Sequence, residues 1–235
     1  MKIFLTAILV LGAASGQQRI PPEATIIETA PLNNRRGLVL WMLHPKAVRS
    51  VDEACSDWVY GDHWAGPARL SLVDSSSKKV INTIAIRGSY GDEDSFPIPF
   101  RVSNSHYSVA ALDSDKRGKP RILNLRDLTG EGVAGQFVLF EYEACGAALT
   151  SVFGYSPGSD RVQQYQVEVH EGGKPPQLSS WVPHAFGENP HRPGVWDFTW
   201  EPGHGSDCTI HEQVSFDPER RVFVDLMKIT PDRQK

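Results

Sequence analysis

Short stretches rich in β-branched and aromatic residues recur along almost the whole chain, and turn residues separate them. Stretches of this length and composition, bounded by Gly, Pro, Asn, Asp and Ser, predict strands. No stretch has the pattern of a helix of ordinary length. The sequence therefore predicts an all-β fold. The predicted strands are residues 25–29, 37–43, 69–73, 80–86, 121–125, 136–142, 149–155, 161–169, 195–200, 209–216 and 221–229.

Three pairs of these strands are joined by short loops that favour chain reversal. The loops are residues 75–79, 156–160 and 217–221, and each contains Ser, Pro, Gly or Asp. These residues adopt the backbone conformations of tight turns or bond to their own backbone there. We therefore expect three antiparallel hairpins.

The side-chain pattern of two strands indicates how they are buried. Tyr165, Val167 and Val169 alternate with polar residues, which is typical of a strand in an antiparallel meander with one dry and one wet face. Residues 137–140 are apolar throughout and predict a central strand. The expected architecture is a single domain of meanders and hairpins, either a β-sandwich or a blade-like, propeller-related arrangement.

The first 16 residues have the three-part form of a secretory signal peptide. Lys2 precedes the apolar run 3–11, and small residues follow at 12–16. We expect cleavage after Gly16, or alternatively after Ala14, and a secreted or periplasmic product. The apolar run is much shorter than the roughly 20 residues that span a bilayer. Residues 17–235 are then one exported β domain without a transmembrane segment, and residues 17–24 are expected to be disordered.

The net charge and the cysteine content limit the classes of partner and the disulfide bonds that we expect for this chain. With 28 acidic and 24 basic residues, the net charge of −4 argues against nucleic acid as a partner. Cys55, Cys145 and Cys208 would lie in an oxidising compartment, where neighbouring thiols pair. We favour a disulfide between Cys145 and Cys208; three buried thiols that pack as small apolar groups are the alternative.

Two catalytic or cofactor motifs match in letters but not in context. Residues 130–135 match G-x-G-x-x-G, whose glycines must open a helix that binds a pyrophosphate, yet a predicted strand follows. Residues 154–158 match G-x-S-x-G, but Ser156 precedes Pro and Gly in a predicted hairpin rather than a strand-to-helix turn. Neither a nucleotide site nor a Ser156 nucleophile is therefore expected.

A third motif has a better context. Asp127, Thr129 and Glu131 place oxygen side chains at alternate positions, and Gly132 occupies the sixth position, as at the start of a calcium loop. With its flanking predicted strands, residues 121–169 resemble one repeat of the FG-GAP and VCBS-type β-propellers, whose strands are joined by D-x-D-x-D-G loops.

The resemblance implies a blade-like unit that holds calcium through Asp127, Thr129 and Glu131. The loop departs from the repeat pattern, because Thr129 replaces an acid and Gly135 stands at the ninth position, where another Asp is usual. Calcium affinity follows the charge and number of the ligands. We therefore favour a loop that keeps the turn without the ion, with calcium as the alternative.

Three further groups of residues are candidates for binding. Spacing alone does not show that the members of any group lie together. Each group also has an ordinary structural explanation, which is exposure for the histidines, solvation for the loop carboxylates and core packing for the aromatic residues. The groups are His184, His191, His204 and His211 with Cys208 for zinc or copper; Asp92, Glu93 and Asp94 for a cation; and Trp181, Trp196, Trp200, Phe186 and Phe198 as a surface for stacking sugars.

These observations leave three hypotheses for the function. The leading one is an exported, non-catalytic β domain with a binding or structural role. The second is a hydrolase acting outside the cytoplasm, with its acid and base on the long segments 89–119 and 172–194. The third is a cation-dependent adhesive or structural module built on the Asp127 loop.

Overall fold

The described part of the chain is built from strands and the turns between them. The computed structural model describes residues 19–49, 62–89, 95–99, 121–144, 147–183, 185–187, 190–201 and 207–231. This part of the chain contains no helix, and therefore none that could cross a membrane, and the predicted all-β class is confirmed. Its strands are β1 (Ala24–Pro31), β2 (Arg36–Leu43), β3 (Lys46–Val48), β4 (His63–Ala65), β5 (Ala68–Asp74), β6 (Val80–Ile86), β7 (Ile98–Pro99), β8 (Gln136–Ala144), β9 (Ala147–Ser156), β10 (Arg161–Gln164), β11 (Val167–Glu171), β12 (Gln177–Ser179), β13 (Val182–Pro183), β14 (Val195–Trp200), β15 (Cys208–Asp217) and β16 (Val222–Pro231).

The strands form three larger sheets and one small one. The first sheet is antiparallel, in the order β1-β2-β5-β6, and the small sheet has the order β3-β4-β7. In the second sheet, β9 pairs with β8 along one side and with β10 and β13 on the other. The third sheet has the order β12-β11-β16-β15-β14. The three predicted hairpins are confirmed as β5–β6, β9–β10 and β15–β16.

The second sheet lies between the other two and is buried on both faces. Phe137 and Phe153 pack into one core cluster with the inner residues of the first sheet. Val138 and Val152, which point the other way, pack into a second cluster with residues of the third sheet. Because neighbouring residues of a strand face opposite sides, a central strand needs an uninterrupted apolar run. The predicted central position of residues 137–140 is confirmed.

The first and second sheets are also joined through polar side chains. Asn82 on β6 acts as a backbone partner for Val162 on β10: its Nδ2 donates to the Val162 carbonyl, and its Oδ1 accepts from the Val162 amide, both at 2.9 Å. Arg36 on β2 donates to both carboxylate oxygens of Asp160, in the β9–β10 hairpin, at 3.1 and 2.7 Å. These bonds fix the register between the two layers.

The predicted single strand over 161–169 is divided between two sheets. β10 runs antiparallel to β9, whereas β11 runs parallel to β16 in the third sheet, which differs from the expected meander. The chain changes sheets at Tyr165, which is buried between them. Its amide donates to the Val152 carbonyl at 2.9 Å, and its ring contacts Phe223, with 5.9 Å between centroids. Side-chain alternation continues through the crossover, so the pattern could not reveal it.

The strand predicted over 121–125 is wrong. These residues form a turn, and only Arg126 makes an isolated bridge, to Gln136. Ile122 is buried, and its amide donates to a carboxylate oxygen of Glu28 at 2.9 Å. The apolar residues of this segment are explained by packing of the turn against the first core cluster, not by strand pairing.

Candidate binding cleft

An open cleft of about 640 Å³ lies beside β9, where the chain leaves the second sheet for the third. This volume is within the usual range of small-molecule sites. The cleft draws on both of the long segments that sequence analysis favoured for a functional site. Its lining residues are Arg87, Gly88, Ser89, Leu149, Gln164, Gln166, Leu178, Ser179, Ser180, Trp181 and Pro183.

Two glutamine side chains come from the segment that carries β10 into β11. The Nε2 of Gln164 donates to the Oγ of Ser151 at 3.0 Å, and the Nε2 of Gln166 donates to the Oγ of Ser180 at 2.7 Å. Each bond orients its amide, while no described residue donates to either amide oxygen. The cleft therefore presents two oriented amides that retain acceptor capacity.

Another part of the lining combines the guanidinium of Arg87, the hydroxyl of Ser89 and the indole of Trp181. Trp181 is mostly buried, stacks on Phe96 with 5.7 Å between centroids, and donates from Nε1 to the Arg87 carbonyl at 3.1 Å. The Ser89 hydroxyl is buried without a hydrogen-bond partner among the described residues. The Ser89 amide donates to the Glu141 carboxylate. This wall is thus fixed through its backbone, and it offers polar groups that a ligand can satisfy.

The lining is polar but carries little charge. Arg87 is the one ionisable side chain among the described residues that line the cleft, and it is exposed. The apolar part includes Leu178, which is 62% exposed, and the edge of Trp181. Such a surface suits a ligand with several hydroxyl or amide groups and a modest apolar face.

The Asp127 loop is held by its own backbone and by Arg221. The two carboxylate oxygens of Asp127 accept from the amides of Glu131 and Gly132, at 3.1 and 2.8 Å. The Glu131 carboxylate accepts two bonds from Arg221, at 2.8 and 3.0 Å, and this contact holds the pKa of Glu131 below its usual value. Thr129 is buried, and the described residues form no group of three or more Asp, Glu, His or Cys suited to a metal.

This arrangement is the backbone-bonded turn that the sequence favoured, and it leads to a test of the calcium prediction. We expect the same thermal unfolding midpoint in excess chelator and in millimolar calcium, because both carboxylates already have partners. Asp127→Asn keeps one of the two amide bonds, because its Oδ1 accepts and its Nδ2 does not, so it should lower the midpoint to the same extent with and without calcium. Differential scanning calorimetry measures both. A rise of several degrees with calcium, abolished by Asp127→Asn, would show a bound ion worth about 1–2 kcal/mol.

The two rejected motifs have the local structure that their sequences predicted. Gly130 and Gly132 have positive φ of 74° and 79°, and strand β8 follows them rather than a helix. A Cβ on Gly130 would lie 2.9 Å from the Pro193 carbonyl oxygen, so glycine is needed there for close packing as well. Ser156 is fully buried at the end of β9 and leads into the hairpin turn.

The histidine and cysteine candidates are only partly within the described residues. His191 and His211 are exposed, and His211 lies opposite Thr199 on the outer face of the third sheet. His184 and His204, and Asp92, Glu93 and Asp94, lie outside the described residues. Cys208 is half-buried at the start of β15 and forms no disulfide with a described residue. Cys55 and Cys145 are not described, so the Cys145–Cys208 bridge stays a prediction.

The aromatic candidates form core rather than an open surface. Trp196 and Phe186 are buried, with 5.0 Å between ring centroids in an edge-to-face contact. Phe198 packs against the same cluster, and Trp200 donates from Nε1 to a carboxylate oxygen of Glu212 at 2.8 Å. Among the five, only Trp181 lines the cleft. Core packing, the explanation that the sequence favoured, is confirmed for Trp181, Trp196, Phe186 and Phe198, whereas Trp200 is half-buried and belongs to neither core cluster.

The sequence predicts a wet strand face for Gln164 and Gln166, but it indicates no role for them or for Arg87. Their convergence depends on the sheet crossover at Tyr165, for which a single sequence carries no signal. The one sequence signal for the cleft is the spacing of the two glutamines, because residues two apart on a strand lie on the same face. No model of a known protein family, no curated protein and no solved structure matches this chain.

Proposed function

We propose that this chain is an exported, non-catalytic binding domain whose cleft holds a polyhydroxylated ligand, with short oligosaccharides as the substrate class. The observation that carries the proposal is the pair of oriented amides, Gln164 and Gln166, on one wall of the cleft. A sugar hydroxyl both donates and accepts, so it can satisfy an amide oxygen and an adjacent serine together.

The remaining lining supports the same chemistry. Sugars present a C–H face that packs on apolar and aromatic groups, and Leu178 with the edge of Trp181 supplies a small surface of this kind. The unpartnered Ser89 hydroxyl offers a further bond, which becomes more favourable because the group is already removed from water. Arg87 adds strong donors at the rim.

The lining favours binding over catalysis. General acid and base catalysis needs positioned groups that exchange a proton near the working pH. Among the described lining residues, Arg87 is the one ionisable group, and a guanidinium does not exchange its proton in this range. The Glu141 carboxylate beside Gly88 and Ser89 already accepts from the Ser89 amide, and no second acid or base accompanies it among the described lining residues. The exported location in the proposal rests on the first 16 residues alone.

The proposal predicts that Gln166→Ala weakens oligosaccharide binding by about tenfold, because one oriented hydrogen-bonding group is lost. Isothermal titration calorimetry with cellobiose, maltose and N,N′-diacetylchitobiose as probes measures the effect on the sugar that binds best. The matched control is Gln213→Ala, which removes an exposed glutamine from β15. We expect the control to bind like the unchanged chain.

Two results would contradict the proposal. One is the absence of binding to all three sugars at millimolar concentration. The other is binding that Gln166→Ala and Gln213→Ala affect equally, because the ligand would then lie outside the cleft. Circular dichroism of both variants shows that the fold is retained.

A further inference from the structure

Two carboxylates lie side by side in the interior of the third sheet. In the register of β15 and β16, Val214 is opposite Asp225 and Glu212 is opposite Met227, so Glu212 and Asp225 are diagonal neighbours on one face. This is the inner face, which packs on the second sheet through Val214 and Phe223. Glu212 is 0% exposed and Asp225 is 1% exposed. We call these two residues the acid pair.

The acid pair has few polar partners. Trp200 on β14 donates to Oε1 of Glu212 at 2.8 Å. Among the described residues, the other oxygen of Glu212, Oε2, has no hydrogen-bond partner, and neither has Oδ1 of Asp225. Burial first, and then the charge of Asp225, raise the pKa of Glu212 to about 7. Burial, opposed by the charge of His170, raises the pKa of Asp225 to about 6.

No described cation lies on the same face beside the acid pair. Val169 and Phe198 flank it from β11 and β14, and both pack against the second core cluster. On the inner face, Glu171 lies one step beyond Val169 and bonds Lys174, and Cys208 lies at the start of β15. The other ionisable groups of these strands are on the outer face or in the adjoining turn: Glu168, His170, Asp197, His211, Asp217, Glu219, Arg220, Arg221 and Lys228. Arg221 lies over the Phe216 ring and is bonded to Glu131.

This setting is unfavourable to two negative charges at once. Burying an unpaired carboxylate costs several kcal/mol, which a protein avoids by retaining a proton or by admitting water. A calcium ion would need six to eight oxygen ligands. The described surroundings of the acid pair are aliphatic and aromatic side chains, so the proton is the cation that this site suits.

We propose that the acid pair is a proton-dependent switch that controls the closure of the β14 edge of the third sheet. While the acid pair retains a proton, β14 and β15 stay packed against the second sheet. When both protons are released to solvent, the two carboxylates require water, and the edge strand β14 separates from β15 to admit it. The opening is local to β14, because among the described strands β14 pairs with β15 alone, whereas β15 also pairs with β16 along its whole length.

Amide hydrogen exchange measured by mass spectrometry at pH 5, 6.5 and 8, corrected for the intrinsic exchange rate, tests the proposal. For peptides covering β14 and β15, we expect the opening equilibrium constant to rise at least about tenfold between pH 5 and pH 8. In the double variant Glu212→Gln, Asp225→Asn, the same constant should rise less than about threefold, because this variant has no charge to bury. Glu219→Gln, in an exposed turn, is the control and should retain the full rise.

Peptides covering β2 and β5 in the first sheet serve as an internal reference. Equal loss of protection there would overturn the proposal, because the opening would be global. So would an unchanged pH dependence in the double variant, or no pH dependence in the unchanged chain. If the double variant does not fold, Glu212→Gln alone should reduce the rise to less than about threefold, because the second charge that the opening requires is then absent. A full rise of about tenfold in this variant would contradict the proposal.

Discussion

Replacing Phe223 with alanine is expected to lower the free energy of unfolding by about 3–5 kcal/mol, the usual cost of removing a buried phenylalanine side chain. Phe223 is fully buried on β16, and its ring contacts those of Phe186, Trp196 and Tyr165 at centroid distances of 4.9, 5.7 and 5.9 Å. The change would therefore weaken contacts between three parts of the second core cluster at once. Urea unfolding followed by tryptophan fluorescence measures the loss.

Leu226 provides the matched control for this prediction. It lies on the same strand three residues later, on the opposite face, and is 47% exposed. Leu226→Ala should cost less than about 1 kcal/mol, because most of its side chain already meets water. Similar losses for the two variants would mean that the third sheet does not pack on the second through the face that carries Phe223.

The second large effect concerns the dependence of stability on pH. The folded-state pKa of Glu212 is raised from 4.5 to about 7, so the folded state binds more protons than the unfolded state between these values. Stability therefore falls as pH rises through this range, by about 3 kcal/mol at 1.36 kcal/mol per pKa unit. Glu212→Gln removes the ionisation and should raise the free energy of unfolding at pH 8 by about 3 kcal/mol.

At pH 5 the same substitution should change stability by less than about 1 kcal/mol, because Glu212 is already mostly protonated there. The Gln amide group retains an oxygen for the Trp200 donor and presents an NH2 group toward Asp225. Urea titrations at the two pH values measure the difference. An equal effect of Glu212→Gln at pH 5 and pH 8 would show that Glu212 does not titrate in the buried position.

Other carboxylates shift stability in the opposite direction at low pH. Hydrogen bonds from Arg220 and His170 lower the pKa of Glu168 to about 2, and Arg36 lowers that of Asp160. Their contributions are present above the unfolded pKa values and are lost as pH falls through the folded ones. Together with the acid pair, they place the maximum of stability on the acidic side of neutrality.

Much of the strand order could be predicted because local pattern and burial agree. The run 137–140 is apolar on both faces, and its residues enter two different cores. The β15–β16 hairpin follows from a turn that begins at Asp217, whose carboxylate accepts amides at 2.9 and 3.0 Å. These features depend on neighbours in the chain, so one sequence suffices to find them.

The cleft and the acid pair depend on long-range pairing and could not be predicted. Gln166 and Ser180 meet because β11 leaves the second sheet, which side-chain alternation does not record. Glu212 alternates with Ile210 and Val214 as an inner-face residue. From the sequence alone, a carboxylate at such a position is as consistent with an exposed edge as with burial. Its partner Asp225 is brought beside it only by the register of the hairpin.

We propose that the cleft between the second and third sheets binds a sugar. Nuclear magnetic resonance can show directly which side chains the sugar contacts. On titration with the oligosaccharide that binds best, we expect the side-chain amide signals of Gln164 and Gln166 and the indole signal of Trp181 to shift together. The indole signal of Trp41, which bonds Ser71 within the first sheet, should not move. Shifts confined to residues outside the cleft, or no shifts with any of the three sugars, would contradict the account.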